Sequence, residues 1–219
     1  MASTPANEQE LYERSQLLAG CSLQQLANQL NESVPASLHQ AKGWLGTLLE
    51  KKLGATAGSL PQPDFPELGI ELKTLPINSN GFPRESTYVC VVQLGPANLG
   101  KWHDSLVRKK LSRVLWIPYE ADSNIPIGAR RIGNPVLWEP DIEQEQQLRE
   151  DWQELTDMIV LGNIEQISSS MGKYLQIRPK AANARMTTTD HNQPDTGSVT
   201  LPRGFYLRSR FTGQIINNV

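Results

Sequence analysis

The sequence predicts an α/β fold, because segments with helical spacing of apolar residues alternate with short strand-like runs. Apolar residues recur at helical spacing from Leu45 to Leu53 and again from Leu148 to Ile159. Between these segments, Val114–Ile117 is a short apolar run of the kind that forms a buried strand. We therefore expect a mixed central sheet flanked by helices, built as a single domain with two lobes around a cleft.

Composition favours a globular protein with a hydrophobic core. The chain has 219 residues, of which 38% are hydrophobic and 20% charged. No run of about 18 apolar residues is present, and the N-terminus MASTPANEQE lacks the basic and apolar regions of a secretory signal. We expect a cytoplasmic protein whose cysteines, Cys21 and Cys90, are reduced. Three scattered histidines and no CxxC motif argue against a zinc site.

Charge is distributed unevenly along the chain. The net charge is only -2 and the pI is near 6.0, which alone argues against a generic nucleic-acid binder. From Met171 to the end, however, seven basic residues face two acidic ones, whereas Glu139–Asp157 holds eight acidic residues and one arginine. This pattern predicts a basic surface for a polyanion and a separate acidic face that either faces away or meets a protein partner.

The N-terminal third is expected to be helical. Ser22 is a plausible N-cap for the second helix, and Gly54 ends the third. The predicted helices are Glu8–Leu18, Leu23–Leu30 and Lys42–Leu53.

The rest of the chain alternates strands, helices and loops. We expect Pro118 to close the strand at Val114–Ile117, and Pro179 to keep a basic loop, Arg178–Arg185, out of a sheet interior. The polar segment 186–200 is expected to be mobile. The other predicted elements are strands at Thr87–Leu94, Tyr174–Ile177 and Leu201–Leu207, and helices at Asp141–Leu161 and Ser209–Asn217.

The stretch Pro63–Lys73 carries the residues best suited to chemistry. In a strand, Glu71 and Lys73 point to one face while Ile70 and Leu72 point to the other, which predicts one polar and one buried face. Asp64 lies just before the strand, so two carboxylates could converge on a hard cation such as Mg²⁺, which takes few protein ligands. Lys73 would supply a point charge to a phosphoryl oxygen or an attacking water.

These residues spell the PD…(D/E)xK motif of restriction-endonuclease-like nucleases, as Pro63-Asp64 followed by Glu71-Leu72-Lys73. Longer stretches around the motif make the match specific, and over nearly the whole chain the sequence resembles the MutH family, the strand-discriminating endonucleases of methyl-directed DNA mismatch repair. The stretches are Lys42–Gly46, Gly69–Thr74, Arg113–Pro118, Leu148–Trp152, Tyr174–Asn183 and Leu201–Leu207.

The resemblance implies a restriction-endonuclease-like fold around a DNA-binding cleft and a monomeric, Mg²⁺-dependent endodeoxyribonuclease. Such an enzyme nicks the unmethylated strand of hemimethylated GATC sites on the 5′ side of the guanine. Its implied partners are double-stranded DNA, MutL as the activator and MutS indirectly, and it would associate with the nucleoid when it acts. Mn²⁺ or Ca²⁺ could occupy the same metal site.

The resemblance also assigns catalytic roles. Asp64 and Glu71 would be metal ligands and Lys73 the catalytic lysine. Glu50, on the preceding helix, would support the metal directly or through water. Lys110 resembles a further lysine of the family near the scissile phosphate.

DNA recognition would lie in the C-terminal part of the chain. The loop from Arg178 to Ala184 would enter the major groove, where Lys180 is suited to guanine O6 and N7. Tyr206 stands where the family senses adenine methylation. Lys42 would be a further DNA-contacting residue.

Two lobes follow from these assignments. Residues 1–110 would form a catalytic lobe with the metal site, and residues 111–219 a C-terminal lobe with the recognition loop. The acidic segment Asp141–Asp157 is a candidate surface for MutL.

Two other functions remain open from the sequence. One is a type II restriction endonuclease that cuts both strands at GATC. The other is a catalytically inactive DNA-binding protein of the same fold. Retention of Asp64, Glu71 and Lys73 argues against the second.

Overall fold

The computed structural model describes residues 2–37, 43–92, 100–180, 188–189, 199–200 and 202–217. The chain divides into two compact units that interleave along the sequence. Unit 1 comprises Met1–Glu85, Ser112–Glu139 and Gly213–Val219, and unit 2 comprises Ser86–Leu111 and Pro140–Thr212.

Unit 1 contains a mixed three-stranded sheet. Strand β1 (Glu71–Ile77) pairs in parallel with β3 (Val114–Glu120), and β3 pairs antiparallel with β4 (Val136–Trp138). The central strand β3 is fully buried from Val114 to Ile117. A parallel pair needs a long connection between its strands, and here the intervening segment includes residues of unit 2.

Three helices pack one face of this sheet. They are α1 (Glu8–Gln16), α2 (Leu23–Gln29) and α3 (Trp44–Leu53). The apolar side chains of these helices form one hydrophobic cluster with Ile70 and Leu72, at the start of β1, and with Leu115 and Ile117 of β3. The predicted N-cap is confirmed, since Ser22 and Gln25 form a reciprocal capping box at the start of α2.

Unit 2 contains β2 (Thr87–Val91), α4 (Leu106–Leu111), α5 (Ile142–Val160), β5 (Leu175–Pro179) and β8 (Arg203–Leu207). Its strands form an antiparallel three-stranded sheet with the order β2-β8-β5. The helix α5 packs on β5, and its buried side chains include Leu148, Trp152 and Ile159 at the predicted helical spacing. A short pair, β6 (Thr188–Thr189) with β7 (Val199–Thr200), and the helix α6 (Ser209–Asn217) complete the described strands and α-helices.

Asp151 of α5 fixes the start of β5. Its carboxylate is only 3% exposed and accepts the backbone N–H groups of Lys173, Tyr174 and Leu175 at 2.9, 2.6 and 2.8 Å. Buried carboxylates are tolerated only when hydrogen bonds replace their hydration. The same carboxylate thus satisfies three donors and sets where β5 begins.

The strand β3 does not end at Pro118 as predicted but continues to Glu120. Pairing with β4 stops at Trp116, and the carbonyl of Pro118 accepts the N–H of Gly133 at 2.8 Å on that side. The backbone N and O atoms of one strand residue point to the same side of the strand. The nitrogen of Pro118, which carries no hydrogen, therefore points towards the β4 side at a position where β4 has already ended. The missing N–H breaks no ladder bond.

The predicted basic loop also begins later than expected, because Arg178 and Pro179 lie in β5, paired with Gly204 and Arg203 of β8. The strand order makes β5 an edge strand, and an edge position tolerates proline.

The compact units do not coincide with the predicted lobes at residues 1–110 and 111–219. Ser86–Leu111 belongs to unit 2, whereas Ser112–Glu139 and Gly213–Val219 belong to unit 1. Of the predicted features, Lys42, residues 181–184 of the recognition loop and most of the polar segment 186–200 lie outside the described residues. Within the described ranges, no helix combines the length and apolar character required to cross a membrane.

The cysteines were expected to be reduced residues of the core. Neither forms a disulfide within the described part of the chain, and Cys90 is buried, whereas Cys21 is half-buried.

We expect Asp151→Ala to lower the free energy of unfolding by about 3 kcal/mol, since it leaves several donors without their charged acceptor. Urea unfolding followed by circular dichroism measures the change. Asp157→Asn is the matched control, because this exposed carboxylate on the same helix accepts only one side-chain bond, from Gln153. Equal stability of Asp151→Ala and the control would contradict the anchoring role.

Candidate functional site

Glu71 and Lys73 form a tight ion pair at the start of β1. The Nζ atom of Lys73 lies 2.5 Å from Oε1 of Glu71, whose side chain is 1% exposed, and the lysine side chain is 15% exposed. The two side chains share a face, as predicted. That face is buried rather than open, because the register sets it beside the fully buried Val114 and Trp116 of β3.

Asp64 is held against the same end of β1 by a closed turn. Phe65 and Ile70 exchange backbone hydrogen bonds at 2.9 and 3.2 Å, and Gly69 takes a left-handed conformation with φ of 66° within the turn. Beyond the turn, Oδ2 of Asp64 accepts the N–H of Leu72 at 2.8 Å. This bond fixes a half-buried carboxylate beside the strand that carries Glu71.

Arg113 ties β1 to the N-terminal helix. Its carbonyl accepts the N–H of Glu71 at 3.0 Å, and its guanidinium donates two bonds to Glu8, at 2.8 and 2.6 Å, and approaches Glu139 at 3.1 Å. The hydrogen bond from Arg113 holds the pKa of Glu8 below its ordinary value, although partial burial opposes this. The basic run at 108–113 thus includes an arginine engaged in a structural ion pair.

The third carboxylate, Glu50, lies half-buried near the C-terminal end of α3. Across the described residues, no group of three or more His, Cys, Asp or Glu side chains is arranged to hold a metal ion. The pair that β1 positions, Asp64 and Glu71, nevertheless supplies hard oxygen donors. Mg²⁺ commonly takes only one or two protein carboxylates and keeps several waters, so this pair is a chemically suitable donor set.

A cluster of tyrosine and basic side chains lies on the sheet of unit 2. The register sets Tyr88 of β2 opposite Tyr206 of β8, and their rings meet edge to face with centroids 5.4 Å apart. The guanidinium of Arg178 lies 6.0 Å from the centroid of Tyr206, and Nζ of Lys180 lies 5.0 Å from that of Tyr88. Gly204 makes room, because a Cβ there would lie 2.9 Å from Cε2 of Tyr88. We call these four side chains, Tyr88, Arg178, Lys180 and Tyr206, the reading cluster.

Tyr88 is the member that sequence reasoning missed. Its pKa is raised above its ordinary value of 10.0, chiefly by burial and secondarily by Cys90, while Lys110 opposes the rise. The phenol therefore stays neutral at physiological pH. Only the pairing of β2 with β8, far apart in sequence, reveals its contacts, and no local pattern encodes that register.

The remaining predicted residues divide between the two units. Glu50, Asp64, Glu71 and Lys73 belong to unit 1, whereas the half-buried Lys110 on α4 belongs to unit 2 with the reading cluster. Within unit 2 the structure thus brings Arg178, Lys180 and Tyr206 together.

Comparison with known proteins shows which family the chain matches. The profile of a family described as DNA mismatch repair enzyme MutH matches residues 53–151, which include Asp64, Glu71 and Lys73. The chain is 53% identical to the DNA mismatch repair protein MutH of Serratia proteamaculans over 97% of its own length and 93% of the relative. Identity to the proteins of the same name from Pectobacterium atrosepticum and Shewanella baltica (strain OS155) is 51% and 50%, over 97% and 98% of this chain and 92% and 96% of the relatives.

The helices that flank a mixed sheet, with the Asp64, Glu71 and Lys73 motif at the start of β1, define a restriction-endonuclease-like fold. The chain belongs to the MutH family of DNA mismatch repair endonucleases.

We expect Glu8→Gln to lower the free energy of unfolding by about 0.5 kcal/mol near neutral pH, since the ion pair is partly exposed. A carboxyl whose folded pKa is lowered stabilises the protein above its unfolded value of 4.5, and this contribution fades as the pH falls through the folded pKa. The difference between the parent and Glu8→Gln should therefore shrink below pH 4.5. Urea unfolding across this pH range tests it.

The control is Glu13→Gln, because Glu13 is an exposed carboxylate on the same helix that accepts a bond from the neutral Gln9. A difference for Glu8→Gln that stays constant as the pH falls would contradict the assignment of the ion pair.

Proposed function

We propose that the protein is a Mg²⁺-dependent endonuclease that nicks the unmethylated strand of hemimethylated GATC sites, 5′ to the guanine, in DNA mismatch repair. The observation that carries the proposal is the buried Glu71–Lys73 pair with Asp64 bonded to the same strand end. This combination brings hard oxygen donors and a cation to one rigid strand. Such a platform suits hydrolysis of a phosphodiester, which requires no protein nucleophile.

Asp64 and Glu71 would hold the ion, and Glu50 would support it directly or through water. When bound, Mg²⁺ would lower the pKa of a bound water and neutralise charge on the phosphate. Mn²⁺ or Ca²⁺ would fit the same oxygen donors.

Lys73 would then place its positive charge beside a phosphoryl oxygen or the attacking water. The ammonium of Lys73 is half-buried, and the surrounding protein screens such a charge less than water screens a fully exposed one. Its bond to Glu71 keeps Nζ in one place before DNA arrives, so little reorganisation would be required in the transition state. Lys110 would contribute further positive charge near the scissile phosphate.

Sequence specificity would come from unit 2, because a metal site does not read bases. Lys180 is suited to guanine O6 and N7 in the major groove. Tyr206 would distinguish adenine from N6-methyladenine, since the methyl group adds bulk and removes one N–H donor. Lys42 is proposed as a further DNA contact from the resemblance to the family. The contacts within the reading cluster support this role, because they hold cations and phenol rings in fixed mutual positions.

The enzyme would act as a monomer that MutL activates after MutS has found a mismatch. The face of α5 that is left exposed carries Glu143, Glu150, Glu154 and Asp157. This acidic face suits a basic surface on MutL.

We expect Asp64→Ala and Lys73→Ala each to reduce nicking with Mg²⁺ by about 10³-fold or more, because each removes charge from the reacting centre. Binding to a GATC duplex should remain close to that of the parent. Nicking of a supercoiled plasmid and binding by fluorescence anisotropy measure the two effects. Glu67→Gln is the control, since Glu67 is exposed and lies in the turn between Asp64 and β1. Native nicking by either alanine variant would overturn the assigned site.

We expect Lys180→Ala to reduce the preference for GATC over single-base variants of the site by about 5- to 150-fold, as lost base contacts cost ~1–3 kcal/mol. Lys173→Ala is the matched control, because Lys173 also lies over a tyrosine, with Nζ 5.3 Å from the ring centroid of Tyr174. Cleavage rates on a panel of duplexes give the preference. If Lys180→Ala kept the parent's preference, this lysine would not take part in the readout.

We expect a Glu150→Lys, Glu154→Lys double variant to lose about tenfold of the stimulation by MutL, because the reversed charges repel a basic partner. Nicking without MutL should be unchanged. Glu13→Lys, a reversal at an exposed acid on α1, controls for a charge reversal outside α5. Full stimulation of the double variant would exclude this face of α5 as the contact.

A further inference from the structure

The hydroxyl of Ser86 receives two side-chain donors of the unit 2 sheet. Its Oγ accepts Nε2 of Gln176 at 2.8 Å and Nη1 of Arg178 at 3.2 Å. Ser86 lies immediately before β2, whereas both donors lie on β5. A serine oxygen has two lone pairs, so these two bonds use its full capacity as an acceptor.

Both donors are neighbours of Tyr206. Gln176 is directly opposite Tyr206 in the pairing of β5 with β8, and its side chain is 5% exposed. A buried amide donor that loses its acceptor costs free energy, so the bond to Ser86 keeps Gln176 in place.

Arg178 is exposed, so its long side chain would otherwise sample many rotamers. The bond to Ser86 restricts it, and the same guanidinium lies 6.0 Å from the ring centroid of Tyr206. The serine oxygen therefore holds one end of a chain of contacts that runs through Arg178 to the phenol ring.

We infer that Ser86 is a positioning residue for methylation sensing. It holds Arg178 over Tyr206, and thereby restricts the ring that would test the adenine N6 group. This inference rests on the proposed function, and it assigns to Ser86 an effect on discrimination between substrates. It assigns no effect on the reaction at Asp64, Glu71 and Lys73.

The test compares rates of nicking on hemimethylated and fully methylated GATC duplexes. We expect Ser86→Ala to reduce the ratio of these rates by about five- to thirtyfold, the fold-change that corresponds to a loss of about 1–2 kcal/mol. Ser86→Thr retains the hydroxyl and should keep the parent's ratio. Ser170→Ala is the control, because it removes an exposed hydroxyl of the same unit that bonds only to Ser168.

Two further variants separate positioning from a loss of folding. Arg178→Met leaves the Ser86–Gln176 bond intact and should reduce the ratio as Ser86→Ala does. In a double-mutant cycle, Ser86→Ala should have little further effect once Arg178 is replaced by methionine, whereas a purely structural role would give additive losses.

The failure of this inference differs from the failure of the proposed function. A parent protein that nicks both duplexes equally overturns the proposed function, and the inference with it. A parent that discriminates while Ser86→Ala discriminates equally well overturns only the role of Ser86.

Discussion

The hydrogen bond from the N–H of Leu72 to the carboxylate of Asp64 is the constraint on which the relative placement of Asp64, Glu71 and Lys73 depends. Without it, an acidic side chain after a proline-rich loop would have no fixed relation to β1. The paired bonds between Phe65 and Ile70 close the turn, and the left-handed Gly69 permits its geometry. The carbonyl of Arg113 accepts the N–H of Glu71, so the start of β1 is hydrogen-bonded both to Asp64 and to the residue before β3.

The reading cluster depends on strand register in the same way. A shift of one residue between β5 and β8 would move Tyr206 away from Gln176 and turn its ring to the opposite face. Asp151 sets the start of β5. Beyond the end of β8, Arg208 donates its side-chain N–H groups to the carbonyls of Ser169, Met171 and Gly172. Both anchors therefore lie at the end of the β5–β8 pair remote from Lys180.

Local sequence patterns predicted five of the six described α-helices, because helix signals are local, but they did not predict the short helix α4. Asp141 caps α5 and Gln144 reciprocates, and Ser22 and Gln25 do the same at α2. Alternation correctly predicted that Glu71 and Lys73 share a face. It could not predict that this face is buried, since burial comes from β3, whose pairing with β1 joins segments distant in sequence.

What the sequence could not reveal was set by tertiary pairing. Tyr88 and Ser86 contact residues about ninety or more positions away, and no spacing rule connects them. Pro118 was predicted to end the strand because proline has no N–H to donate. The pairing with β4 ends before Pro118, so the absent N–H leaves no ladder hydrogen bond unmade. The resemblance to a family supplied the roles of Lys180 and Tyr206, and their contacts with Tyr88 and Arg178 then became visible only in the fold.

We propose that a metal-dependent site on β1 cuts one strand of DNA, which the reading cluster selects. The most direct test is cleavage of a GATC duplex methylated on one strand, with the two strands carrying different end labels, in the presence of Mg²⁺ with and without MutL. We expect a nick in the unmethylated strand, 5′ to the guanine, that MutL accelerates and that forms much more slowly on the fully methylated duplex. Cutting of both strands regardless of methylation would overturn this proposal.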